Sequence, residues 1–137
     1  MKNIGQLIKS AMNTINNDLN RFANQYGLTG TQMAIIDFIN RHSTHTVNQH
    51  ALEVEFNVRR STITVILKRM SDHQLVKRFG SSTDRRQKVV QLTAKGEKLA
   101  PIVQSYIQHH DQHLLDGYSV DQVQLFRRML IHISRGE

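Results

Sequence analysis

The apolar residues of this chain change their spacing twice, and that change restricts the folds open to it. From Ile4 to Met70 they recur at steps of three and four, the period of helices with one buried side. Between Leu75 and Leu92 they fall in two short runs, Leu75-Val76-Lys77-Arg78-Phe79 and Gln87-Lys88-Val89-Val90-Gln91-Leu92, which predict strands. The polar stretch Gly80-Ser81-Ser82-Thr83-Asp84-Arg85-Arg86 between them predicts a loop. From Leu99 onward the helical period returns. The chain is therefore predicted to be mainly α, with one two-stranded β wing inserted among helices.

Capping residues divide the helical stretches. Ile4, Leu7, Ile8, Met12, Ile15, Leu19, Phe22 and Tyr26 form one long stripe, and Gly27 suits a left-handed cap after it. Thr29 and Gln32 make a capping box for a second helix carrying Met33, Ile35, Ile36, Phe38 and Ile39. Thr46 and Gln49 predict another box, opening a short third helix with Val47, Ala51, Leu52 and Val54. A fourth helix starts near Arg60 or Ser61, with Ile63, Ile66, Leu67 and Met70 as its buried stripe. After the strands, Thr93 caps a fifth helix running to Gly117, and Pro101 inside it predicts a kink. Ser119 and Gln122 box a sixth, with Val123, Phe126, Met129, Leu130 and Ile133 in its stripe and Leu125 and Ile131 beside it.

The order is a winged helix-turn-helix flanked by long helices. Residues 1–28 form an N-terminal dimerisation helix, 29–98 the helix-turn-helix with its wing, and 99–137 C-terminal dimerisation helices, all one continuous unit. The end helices carry more apolar surface than so small a winged unit covers. Pairing of the first, fifth and sixth helices with a second copy is the expected solution.

Charge points to the partner. Between Arg59 and Lys98 there are eleven basic and three acidic residues, a net of +8, which leaves −1 on the rest of a chain whose total is +7. A basic block in a neutral body is the footprint of a polyanion-binding surface. Aromatics are 6% and Trp is absent, which disfavours stacking on single strands. The chain has no Cys, which excludes disulfides, thiolate metal sites and thiol redox sensing. It has neither a secretory h-region at its start nor an apolar run long enough for a membrane span, so a cytoplasmic chain without a membrane partner is expected.

The fourth helix is placed to enter a major groove with its N-terminal turns nearest the bases. Arg60, Ser61, Thr62 and Thr64 are its candidate base readers, Lys68 and Arg69 its candidate phosphate contacts, and Arg59 suits either role. A capping role for Ser61 and back-bonding by Thr64 are the competing structural roles.

Leu28-Thr29-x-x-Gln32, Leu75-Val76, and Asp84-x-Arg86 followed after five residues by Leu92-Thr93-x-x-Gly96 together resemble the MarR family of bacterial winged helix-turn-helix regulators. The likeness spans nearly the whole chain. One departure is Gln74, where the family often has Gly, so that turn must form without glycine's freedom at positive φ. The resemblance implies a homodimer on near-palindromic double-stranded DNA, usually a repressor, released by a small-molecule effector. It implies that Asp84 braces the wing, Arg86 enters the minor groove, and Arg85 and Lys88 meet phosphates. It places an effector among the first, second and fifth helices, lined by Tyr26, Phe38, Ile39, Tyr106 and His110.

Two alternatives stay open: a zinc-responsive regulator and a non-specific architectural DNA-binding protein. His109 and His113 lie four apart in the His-rich fifth helix, a spacing that can hold Zn²⁺, but two ligands do not complete a site. His42, His45 or Asp111 would have to add a third. Zinc-sensing members of the family take further ligands from the start of the second helix, where Met33 and Ala34 stand here. No metal or cofactor is therefore expected. An enzyme is not expected either, since the chain lacks HExxH, a nucleophile elbow and a P-loop.

Overall fold

The computed structural model describes residues 1–80 and 88–135. Its helices are α1 (Ile4–Asn24), α2 (Gly30–Asn40), α3 (Gln49–Phe56), α4 (Arg60–Asp72), α5 (Ala94–His113) and α6 (Val120–Arg135). Its strands are β1 (Thr46–Asn48), β2 (Val76–Gly80) and β3 (Lys88–Leu92). Residues 1–104 form one compact unit and residues 105–137 a second. Among the described residues, no helix is long and apolar enough to cross a membrane.

In the first unit the core is built from Met33, Ile35, Ile36 and Ile39 of α2, Leu52 of α3, and Ile63, Leu67 and Met70 of α4. Leu75, Val76, Val90 and Leu92 close it from the sheet side, with Ala100 and Val103 of α5. The fourth-helix stripe is buried as its spacing predicts, except that Ile66 is half-buried. The box at Thr29 forms: its hydroxyl accepts from Gln32 N at 3.1 Å, and Gln32 Oε1 accepts from Thr29 N at 3.0 Å. α1 and α2 meet closely at Gly30, whose N–H donates to Asn20 Oδ1 at 2.7 Å. A Cβ on Gly30 would lie 2.8 Å from that same oxygen.

β2 and β3 pair as the expected two-stranded wing, and β1 adds a third strand to their sheet. β3 is central, pairing antiparallel with β2 on one side and with β1 on the other. Val47 faces Val90 in the β1 register and is buried. This overturns the Thr46–Gln49 box. Thr46 is taken into the sheet and its hydroxyl donates to Thr44 O at 3.0 Å. Asn48 caps α3 instead, its Oδ1 accepting from His50 N at 2.7 Å. Three residues are too few for an alternating pattern, so this strand is defined by its partner rather than by its own sequence.

Three helices end the same way. After α1, Leu28 N donates to Ala23 O and Gly27 N to Asn24 O; Gly27 has φ +71°. After α3, Val58 N donates to Glu53 O and Asn57 N to Val54 O; Asn57 has φ 50°. After α4, Leu75 N donates to Met70 O and Gln74 N to Ser71 O; Gln74 has φ 63°. Each is a Schellman ending, which satisfies the last carbonyls by turning one residue left-handed. Gly27 does so without strain and Asn57 with little, but Gln74 has a Cβ to accommodate.

The Leu-Thr-x-x-Gly segment then explains itself. Thr93 N donates to Leu75 O at 3.1 Å, and its hydroxyl accepts from Gly96 N at 3.1 Å, which caps α5. The same hydroxyl donates to Gln74 O at 2.5 Å. A Cβ at Gly96 would lie 2.4 Å from Leu75 O, so only glycine lets the helix approach this strand entry.

In the second unit the Ser119–Gln122 box forms in both directions, at 2.9 and 3.1 Å. The preceding helix ends at His113 rather than at Gly117; Leu114 to Gly117 form a turn, with Gly117 at φ +92°. No described residue of α6 is buried: Leu125, Phe126, Met129, Leu130, Ile131 and Ile133 are all exposed.

Candidate nucleic-acid interface

The helix-turn-helix is α3, the left-handed turn at Asn57, and α4. The turn is short because the Schellman ending reverses the chain within Asn57-Val58-Arg59. Arg59 is the N-cap of α4 and supplies no side-chain cap. Ser61 does not cap the helix either. Burial of Ile63, Leu67 and Met70 on one side fixes which side of α4 faces outward. Arg59, Arg60, Ser61, Thr62, Thr64, Lys68 and Arg69 are all exposed.

Thr64 differs from the others in its chemistry. Its hydroxyl donates to Arg60 O at 2.8 Å and accepts from Gln49 Nε2 at 3.0 Å. Gln49 is only 5% exposed, so this bond ties the first residue of α3 to the second turn of α4 from inside the motif. With its proton committed, Thr64 offers a base its methyl group and one remaining lone pair.

Lys88 opens β3 opposite Gly80 and is exposed. It lines an open concavity of about 410 Å³ together with Arg60 and with Asn48, Gln49, His50, Ala51 and Glu53 at the start of α3. Two predicted DNA-contacting residues from different elements thus line one concavity at the start of α3, with Glu53 also on its lining. His50 belongs to this rim, with Nδ1 4.0 Å from Glu53 Oε1. The sequence reading missed it because the start of α3 was misplaced by the hidden strand. Lys77 and Arg78 on β2 are also exposed and were counted in the basic block without a role. Asp84, Arg85 and Arg86 lie outside the described residues.

The residues proposed around an effector take ordinary positions. Ile39 is fully buried in the core. Phe38 packs edge-on to Phe56, with centroids 6.1 Å apart, and tilts over His42. Tyr26 is exposed and sits edge-on to Phe22. In the second unit Tyr106 tilts over His110 at 5.7 Å. A groove of about 440 Å³ in that unit is lined by Leu114, Leu115, Val120, Val123, Phe126 and Leu130 with polar neighbours; neither Tyr106 nor His110 lines it.

Several histidines have partners of their own. His42 Nδ1 donates to Phe38 O at 2.9 Å, and His45 Nδ1 lies 3.1 Å from Glu97 Oε1. His109 and His113 rings are 4.4 Å apart, and His113 Nδ1 lies 3.0 Å from Asp116 Oδ2. Asp111 lies 3.9 Å from Arg127. Among the described residues, no group of three or more His, Asp or Glu is placed to hold a metal ion.

A helix-turn-helix followed by a sheet with a basic edge defines a winged helix-turn-helix protein. A sequence profile of the MarR family matches residues 26–87. The transcription regulator MarR from Oenococcus oeni is 37% identical, with a TM-score of 0.80 over 97% of this chain and 99% of that one. The chain belongs to the MarR family of transcriptional regulators. Its fold is also that of the MepR–DNA complex of S. aureus (17% identity, TM-score 0.90, 100% of both chains). It matches as well a MarR variant from E. coli complexed with operator DNA (21%, TM-score 0.83, 95% of this chain and 92% of that one). No curated protein matches the chain.

Proposed function

We propose that this chain is a repressor of transcription that binds near-palindromic double-stranded DNA as a homodimer and releases it when a small-molecule effector binds. The observation that carries the reading is the outward side of α4. Exposed cations and hydroxyls stand there opposite a fully buried Ile63-Leu67-Met70 stripe, and Arg60 and Lys88 line one concavity at the start of α3. Arg60, Ser61 and Thr62 would meet base edges; Lys68, Arg69 and Lys88 would meet phosphates. Arg85 and Arg86, by the family resemblance, would add phosphate and minor-groove contacts, with Asp84 bracing Arg86.

The dimer is supported by apolar surface that each unit leaves uncovered. Ile4, Leu7, Ile8 and Met12 of α1 are exposed, as are Leu125, Phe126, Met129, Leu130 and Ile133 of α6. A second copy would bury such surface, and a two-fold assembly matches a palindrome. The effector is carried by the family resemblance, as is the sign of regulation.

Selection from a pool of random duplexes tests the reading. It should return an inverted repeat whose half-sites are about 34 Å apart, one helical turn. Recovery of duplexes without a shared sequence would favour an architectural role. Micromolar Zn²⁺ that shifted both melting temperature and affinity for the selected duplex would favour a zinc-responsive regulator.

A further inference from the structure

The outward ridge of α4 carries one residue that neither charge nor hydrogen bonding explains. Val65 is 51% exposed. At about 100° per residue, Ser61, Val65 and Lys68 stand above one another on the side opposite Ile63, Leu67 and Met70. Valine is stiff in a helix and forms one less readily than Lys, Arg or Gln, and here it gains no burial in return. Single exposed valines are common on protein surfaces. This one is set apart by its place, in the second turn of the helix whose first turns would meet base edges, among Ser61, Thr62, Thr64 and Lys68.

We propose that Val65 reads a thymine, its two methyl groups packing against the C5-methyl group in the major groove and so selecting a thymine at one position of each half-site. The inference rests on α4 being the groove-entering helix of the proposed function. Thymine's methyl is the apolar group that the major-groove edges of the four bases present. Val65 has no polar atom with which to read anything else. Its neighbour Thr64 has its hydroxyl proton tied to Arg60 O and accepts from Gln49, so hydrogen-bond donation to a base at this level is withdrawn. What remains is an apolar patch at the centre of a polar face, and its gain on binding is the removal of two apolar surfaces from water.

The test uses the full chain and a duplex selected from a random pool. Each thymine of a half-site is replaced in turn by deoxyuridine, which deletes only the methyl group, at symmetric positions in both half-sites. Wild type and Val65→Ala are titrated on every duplex. One position should cost wild type about fourfold per half-site, and about tenfold or more for the two together. The same replacement should cost Val65→Ala nothing further, because its partner is already gone. Val65→Thr, which keeps one methyl group, should fall between. Alanine is the better helix former, so an unchanged helical circular dichroism spectrum and a melting temperature no lower than that of wild type will show that the fold survives. Specific binding in which no thymine is coupled to residue 65 overturns the assignment and leaves the proposed function standing. Failure to select any shared sequence overturns both.

Discussion

The amide nitrogen of Gln49 donates to the hydroxyl of Thr64 at 3.0 Å, and this bond joins the two helices of the DNA-binding motif. Gln49 is buried while Thr64 is exposed, so the bond is part-buried and lies at the outer edge of the joint between the two helices. Thr64→Val keeps the shape and removes the acceptor. It should cost about 0.5–1.5 kcal/mol of stability in denaturant titrations, the net worth of a part-buried hydrogen bond. DNA affinity should fall as well, because the angle between α3 and α4 loses its internal tie. Replacing Gln49 by Met in the same chain should recover much of the stability and not the affinity. Equal stability of Thr64→Val and wild type would show that the bond plays no structural part.

Gln74 holds φ 63°, where glycine would be free of strain. Gln74→Gly should therefore raise stability by about 1 kcal/mol, less the cost of a more flexible unfolded chain, and lift the melting temperature by a few degrees. Gly96→Ala should act in the other direction at the same joint. Its Cβ would press on Leu75 O, costing about 1–3 kcal/mol. A lowered melting temperature for Gln74→Gly would mean that the Gln74 side chain holds the joint by itself.

Lys88 and Arg86 should separate by their salt dependence. Lys88→Ala should weaken binding to all duplexes alike and reduce the slope of log affinity against log salt by about one per subunit. Arg86→Ala should weaken specific binding at least about tenfold while the melting temperature stays put, with the largest loss on duplexes whose outer segments are A·T-rich. Unchanged affinity would remove Arg86 from the interface.

Phe126 and Leu130 are exposed on α6, in a helix with no buried described residue. Phe126→Asp combined with Leu130→Asp should turn a dimer into a monomer by light scattering, and binding to a two-half-site duplex should fall with it. A dimer that persists would move the pairing surface elsewhere.

The helices were legible because their signals are local. Thr29 with Gln32 and Ser119 with Gln122 carry their partners three residues away, and each box is present. The left-handed residue at Gln74 was legible only through the family resemblance, which often has Gly there; its φ is 63°. β1 was hidden because Thr46-Val47-Asn48 is a strand only through its pairing with Val89, Val90 and Gln91, far along the chain. That error displaced the start of α3 and with it concealed His50 and the inward role of Gln49. Thr64 was legible as outward-facing and its back-bond to Arg60 O as a competing role, but its bond from Gln49 was not, since Gln49 lies on another helix. Val65 carries neither charge nor hydroxyl, so nothing in its side chain marks it in the sequence as a base reader.

The most direct test of the account is the affinity of the full chain for a duplex from upstream of its own gene against a shuffled duplex of equal composition. Fluorescence anisotropy at about 0.15 M salt and at higher salt would measure both. The account predicts a preference of about a thousandfold for the native duplex, largely kept as salt rises. Equal binding to both duplexes, falling steeply and alike with salt, would contradict it, leaving the basic block as a reader of phosphates alone.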